Sequence, residues 1–246
     1  MNREHVIVVL AAMKREVAPF LGLIDGVKRS RESGCMVWHG RYKSVQVRVI
    51  ATGMASSPPV DILQGCNAML STGFCGALQE ELHAGDVVIA NSVAYADKDL
   101  VRNILHPGSS TGLYDGSGVF DIHLDRSLLS GVQDFFYHEK SAVHGGRTVT
   151  CARVIRNSEE KHRIGSYFDA LAVDMEDYGR LRIARQLQVP MWCLRAVLDE
   201  VEDSIPGPWS GVGPRKLSKL LGNIPPAQQS ICRALTYLLH VVVSET

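Results

Sequence analysis

Four carboxylates in this 246-residue chain stand where apolar, strand-like runs give way to polar residues. Glu16 follows the run Val6–Ala11, Asp174 and Glu176 follow Leu171–Val173, and Asp199 follows Met191–Val197. Carboxyl groups gathered in one place can divide labour: one donates a proton, another activates water or faces a developing cation. A carboxyl can serve as the acid near neutral pH only if burial or a neighbouring carboxylate raises its pKa. The apolar approach Trp192-Cys193-Leu194 is compatible with such burial of Asp199. Each residue also has a structural reading. Glu16 fits an acid in the first turn of a helix, favoured by the helix dipole. Asp174 and Glu176 fit caps of a following helix, and Asp199 with Glu200 fits a solvated turn. Other chemistries find less support. The chain has no G-x-G-x-x-G, no Walker A lysine and no G-x-S-x-G elbow. Its six cysteines contain no C-x-x-C, and no two histidines have helical metal-ligand spacing.

The elements that must position these residues follow from periodicity. Apolar runs at Val6–Ala11, Val45–Ala51, Met69–Thr72, Val87–Ala90, Thr148–Ile155, Leu171–Val173 and Met191–Val197 alternate with helical patterns. Several are rich in β-branched residues without strict alternation, as strands covered on both faces are. The expected fold class is therefore α/β, a single domain with a central, mostly parallel mixed sheet flanked by helices. Ser57-Pro58 predicts an N-cap with proline in the first turn of a helix over Val60–Met69. Asp177 to Gln188 predicts a second helix, with Leu181, Ala184 and Leu187 at helical spacing. The Gly- and Ser-rich stretch His106 to Gly118 predicts a loop, whose length suits a functional lid, a partner contact or disorder. Residues 204–246 form an atypical helical tail of the one domain: Arg215 to Val243 is expected to be helical, with a break at Ile224-Pro225-Pro226. Ile231, Leu235, Leu238, Leu239 and Val242 share one face of it, suited to packing on the sheet or at a dimer contact, to framing an apolar substrate entrance with the His106–Gly118 loop, or to touching a membrane surface, for which the helix lacks a basic face. In an open parallel sheet a ligand lies beyond the carboxyl ends of the strands, which is where the four carboxylates recur.

Bulk properties narrow the partners. Lys+Arg and Asp+Glu both number 26, so no basic footprint points to nucleic acid. No window approaches the roughly 18 apolar residues of a membrane span. The N-terminal apolar stretch is too short for a signal peptide, and the scattered cysteines read as reduced packing residues; a cytoplasmic protein is expected.

Taken in order, four stretches resemble the nucleoside phosphorylase superfamily, and within it the methylthioadenosine/S-adenosylhomocysteine nucleosidases. Ala12-Met13-Lys14-Arg15-Glu16-Val17 is similar to that family's A-M-x-x-E-V. Ser71 to Leu78 with Ala84-Gly85-Asp86-Val87-Val88 is similar to T-G-x-A-G-G-L and G-D-[IV]-V. Ala172-Val173-Asp174-Met175-Glu176 is similar to A-V-E-M-E, and Leu194 to Asp199 to I-R-A-[IV]-S-D. The resemblance implies cleavage of the N-glycosidic bond of a purine nucleoside without metal or organic cofactor. It gives Glu16 the attacking water, Glu176 the ribose hydroxyls, Met175 the sugar face, and Asp199 the proton for purine N7. It places Val154 and Ile155 along the adenine edge, with Arg153, Asp174, Gly73 and Phe74 among the substrate-binding positions. An acid for the base and negative charge near an oxocarbenium-like sugar are what that chemistry needs.

The chain also departs from the family. Phe74-Cys75 replaces smaller residues, Arg153 replaces a small one, and Leu198 replaces a serine whose hydroxyl helps hold the acid. The phosphorylases' G-D-P-x-R and R-x-G-T are absent, which favours water over phosphate as nucleophile. The tail resembles the hopanoid-associated phosphorylase branch, linked to adenine removal from adenosylhopane. The expected substrate is thus a 5′-substituted adenine nucleoside and the expected assembly a homodimer or higher homo-oligomer. Phosphorolysis, and a nucleoside-binding regulatory protein without chemistry, are the alternatives.

Overall fold

The computed structural model describes residues 5–105, 118–124, 126–205 and 214–244, with the side chains of 214–216 and 242–244 excepted. Ten strands and six α-helices are described. In chain order they are β1 (Val6–Ala11), α1 (Lys14–Leu21), β2 (Asp25–Glu32), β3 (Cys35–Tyr42), β4 (Val45–Ala51), β5 (Ala68–Ala77), β6 (Val87–Ala96) and α2 (Lys98–Leu105). Then come β7 (Val119–Asp121), α3 (Arg126–Phe136), β8 (Val143–Cys151), α4 (Ser158–Phe168), β9 (Ala172–Asp174), α5 (Asp177–Leu187), β10 (Met191–Asp199) and α6 (Pro214–Ser244).

The chain forms the expected single α/β domain, with helices on both faces of a mixed sheet. Along β1, Ile7, Val9 and Ala11 join the core under α1 and α6, whereas Val8 and Leu10 join the core under α5. Side chains alternate across a strand, so covering both faces requires an unbroken apolar run. That is why β1 was legible.

Strand pairing differs from an open parallel sheet. β1 pairs in parallel with β4 and β5, and β5 with β10. β10 then pairs antiparallel with β6, β6 in parallel with β8, β8 in parallel with β9, and β9 antiparallel with β5. The pairings β5-β10-β6-β8-β9 therefore close on themselves, with β1-β4-β3-β2 as an extension. β8 and β9 run opposite to β1 and β5, so the carboxylates do not share one parallel edge. Closure of the ring brings them together.

Three local expectations are corrected. Val60–Met69 is not an α-helix: one 3₁₀ turn covers Val60–Leu63, and Gly65 at φ 75° turns the chain out of it. Asn67 then exchanges bonds with Val6, its side chain accepting and its amide donating, which sets β5 in register beside β1. The run Thr148–Ile155 leaves the sheet after Cys151, and residues 152–155 turn toward α4. The tail is one helix through Pro225 and Pro226 without the expected break. The carbonyls that lose their donors there belong to Leu221 and Gly222, both exposed to water.

β2 and β3 escaped the apolar-run reading. β2, DGVKRSRE, is an edge strand with most side chains exposed and no hydrophobic signal. Its hairpin turn at Ser33-Gly34 has positive φ at both residues (46° and 85°), the geometry that suits strand twist.

Candidate active site

Short turns that leave the strands build one cleft. The turn after β1 supplies Ala12 and Met13, the first turn of α1 supplies Arg15 and Glu16, and the turn after β4 supplies Met54. β5 contributes Phe74, Cys75 and Gly76, and the segment after β8 contributes Arg153, Val154 and Ile155. Val173, Asp174, Met175 and Glu176 come from β9 and the turn after it, and Leu198, Asp199 and Ile205 close the ring. The cavity measures about 190 Å³. Every sequence-predicted site residue except Gly73 lines it.

Gly73 works from behind. Its φ is 151°, and a Cβ there would stand 2.7 Å from an Arg195 guanidinium nitrogen and 3.0 Å from Glu16 Oε1. Glycine at 73 is required by that spacing. Gly76 does the same for Asp199, since a Cβ would lie 3.0 Å from its Oδ2.

Glu16 is both the helix acid and a cleft residue. At the third position of α1 it accepts the Met13 amide at 2.7 Å, half of a capping box. Its other oxygen accepts the Phe74 amide at 3.3 Å. Burial pushes its pKa up, partly offset by those two amides and by the charge of Arg195.

Glu176 accepts the Ala55 amide at 2.9 Å and pairs with Arg195 at 3.2 Å. Asp174 has a capping role: its Oδ1 accepts the amides of Glu176 (2.7 Å) and Asp177 (2.9 Å) and the Thr150 hydroxyl (2.9 Å). It lines the cleft, yet that oxygen is committed to fixing the turn that presents Met175 and Glu176. Burial, then the nearby Asp177 charge, raises its pKa to about 7.

Asp199 is 3% exposed, which excludes the solvated-turn reading. Burial raises its pKa, and the ammonium of Lys161, 2.5 Å from Oδ2, works against that rise.

Behind the cleft lies a buried ionic network with no counterpart in the sequence reading. Arg195 grips Asp177 through Nε (2.9 Å) and a terminal nitrogen (2.5 Å) while its other terminal nitrogen holds Glu176. Arg180 bonds Ser71 Oγ at 2.8 Å and Thr52 Oγ1 at 3.1 Å. Removing either partner of such a pair strands a buried charge. Asp177, Arg180 and Lys161 sit in charged helical segments that read as solvent-facing, so only their neighbours in space reveal them.

Arg153 is at the cleft wall with its guanidinium spent on Glu160 (2.8 and 3.1 Å) and on the Val154 carbonyl. The apolar face of α6 is buried: Ile231, Leu235, Leu238 and Leu239 are all fully enclosed against the sheet. No described residue of α6 lines the cleft, so those residues pack on the sheet and do not frame an entrance. The Val242 side chain and residues 106–117 lie outside what the structure describes. Five of the six cysteines are buried and all six are free thiols. Among the described residues no cluster of His, Cys, Asp and Glu could hold a metal ion.

Comparison with known proteins places this geometry. The aminodeoxyfutalosine nucleosidase of Campylobacter jejuni is 24% identical over 201 residues, covering 79% of this chain and 85% of that protein. The methylthioadenosine/S-adenosylhomocysteine nucleosidase of Neisseria meningitidis, solved with methylthio-immucillin-A, superposes with a TM-score of 0.74 at 20% identity, over 95% of this chain and 98% of that one. The native futalosine hydrolase of Helicobacter pylori superposes with a TM-score of 0.74 at 19% identity, over 98% and 99%. A sequence model described as the phosphorylase superfamily matches residues 6–218. That span contains every residue of the cleft, from Ala12 to Ile205, and the chain belongs to the phosphorylase superfamily.

Proposed function

We propose that this protein is a nucleosidase that hydrolyses the N-glycosidic bond of a 5′-substituted adenine nucleoside. The observation that carries the reading is the pairing of two buried carboxyls, Glu16 and Asp199, at one cleft whose middle is lined by Glu176 and Met175. Asp199, protonated, donates its proton to purine N7 as the C1′–N9 bond breaks with its electron pair to the base. Glu176 accepts hydrogen bonds from the ribose hydroxyls, and its charge faces the cationic sugar. Water attacks C1′ and loses its proton to Glu16, giving the 5′-substituted ribose and free base. Val154 and Ile155 flank the adenine.

Water is favoured over phosphate because the phosphorylases' arginine-bearing G-D-P-x-R and R-x-G-T are absent from the sequence, and the Arg153 guanidinium at the cleft wall is engaged by Glu160. Met13, Met54 and Met175 give the cleft an apolar, adaptable wall that suits a thioether or alkyl 5′ group. A long apolar 5′ chain, as in a hopanoid-linked adenosine, remains the second reading of that wall. Met54 is 65% exposed beside the cleft, which supports a homo-oligomer covering it. A cytoplasmic location accords with the free thiols, and no helix among the described residues is long and apolar enough to cross a membrane.

Incubation with a panel of purine nucleosides, with and without phosphate, tests the reading by chromatography of released base. Adenine release independent of phosphate is expected. Strict dependence on phosphate would make the protein a phosphorylase, and binding without release of any base would make it a nucleoside-binding protein. Comparing methylthioadenosine with an adenosine bearing a long 5′-alkyl group decides the substituent.

A further inference from the structure

Lys161 is fully buried within a helix segment, SEEKHR, whose other charged residues reach solvent. Its ammonium has three N–H donors, and three oxygens surround it. The Glu200 carbonyl lies at 2.6 Å, the Asp203 carbonyl at 2.9 Å and Asp199 Oδ2 at 2.5 Å. The first two belong to the turn that follows β10, which Lys219 of α6 braces from outside through Asp203 (2.7 Å) and Glu200 (3.2 Å). Burying an ammonium costs several kcal/mol unless a counter-charge and hydrogen bonds offset it. Carbonyls alone could be satisfied by a neutral donor; what an ammonium adds is charge against Asp199.

We propose that Lys161 is the positioning residue for proton donation by Asp199, fixing the carboxyl at the cleft and stabilising the carboxylate left when the base takes its proton. This rests on Asp199 being the acid. The electron count is simple: the Asp199 O–H bond breaks, its proton moves to N7, and the negative charge that remains lies against a permanent positive one. Without that charge the carboxylate would form in a nearly dry site at the moment of bond cleavage. Among the described residues, the other titratable or charged groups around Asp199 include Glu200, Glu202 and Asp203 in its own turn, the buried Cys75 thiol from β5, and Lys219, engaged by Asp203 and Glu200. Lys161 is the cation in direct contact.

Lys161→Gln keeps hydrogen-bond donors and removes the charge, and Lys161→Met removes both. Both are compared with wild type and with Asp199→Asn after circular dichroism confirms folding. In a profile of kcat/KM against pH, the alkaline limb reports the group that must be protonated. An opposite charge this close lowers a carboxyl pKa by about 1–3 units, so its removal should move that limb up by a similar amount. At the optimum, release of adenine should fall about 10²-fold, the scale of losing one fixed electrostatic contact in a transition state. A 4-nitrophenyl riboside, whose leaving group departs without a proton, should lose little. An unmoved alkaline limb in Lys161→Gln, or equal losses on both substrates, would overturn the proposal and leave Lys161 a brace for the turn. If Lys161→Met does not fold, Lys161→Gln alone decides. Retained adenine release by Asp199→Asn would instead remove the acid assignment, an outcome separate from failure of the lysine alone.

Discussion

Glu16 and Asp199 face one cleft and are equally hidden from solvent, but their surroundings differ in kind. Around Glu16 the structure places two backbone amides, those of Met13 and Phe74, with Arg195 nearby. Around Asp199 it places a full ammonium on α4 and the empty side of Gly76. Amides stabilise an anion without giving or taking a proton, which suits a group that must stay ionised to receive one from water. A fixed cation suits a group that begins as an acid and ends as an anion. Burial alone pushes both carboxyls the same way; the second contact separates their tasks.

That contrast breaks most sharply at the leaving group. Asp199→Asn should lose about 10²–10⁴-fold in adenine release, the usual worth of a positioned acid, while keeping its turnover of a 4-nitrophenyl riboside. Glu16→Gln should lose a comparable factor on both substrates, since water attack is common to them. Parallel release assays on the two compounds check this, and identical patterns for the two variants would erase the division of labour.

A smaller effect is expected between the two ends, at Glu176. Glu176→Gln should lower kcat and raise KM together, because the amide keeps shape but loses charge facing the sugar. Wild-type enzyme should also penalise 2′-deoxy substrates. Steady-state kinetics reads both, and a silent variant with no deoxy penalty would remove the ribose role. Since Glu176 also pairs with buried Arg195, a thermal melt should show some loss of stability.

The smallest effect is on stability alone. Asp174 has a folded pKa raised to about 7, so the folded state holds a proton that the unfolded state has released. Its contribution to stability is therefore present at low pH and is lost as pH rises from the ordinary carboxylate range through about 7. Asp174→Asn should melt higher than wild type above that window, with the difference closing below it. Denaturation curves across pH test the sign; a variant less stable at high pH would show that the charged form is the one the fold prefers.

Part of this is legible in the sequence. The run Val6–Ala11 could only be a strand covered on both sides, and Gln188 ends α5 in a left-handed cap where helical spacing stops. The positions of Glu16, Glu176 and Asp199 after apolar strands made them candidates beside their structural readings, and only the resemblance to the nucleosidases attached a role to each. Edge strand β2 was not readable, since an exposed strand needs no apolar pattern. The helix through Pro225-Pro226 was not readable either, because tertiary packing of Ala227 to Leu239 on the sheet outweighs a local breaker. Burying those aliphatic side chains is worth about 1.5–3 kcal/mol for each large one.

Sequence alone determined which carboxylates stand at strand ends, because local patterning and short turns are encoded by adjacent residues. Tertiary structure decided what each can do. Only the ring closure through β9 and β10 brings Glu16, Glu176 and Asp199 to one cleft, from strands that run in opposite directions. Only there does Lys161, one charge among several on a polar helix, become an ammonium touching Asp199. Burial and partnership are properties of separated segments meeting, and the pKa of a carboxyl depends on both.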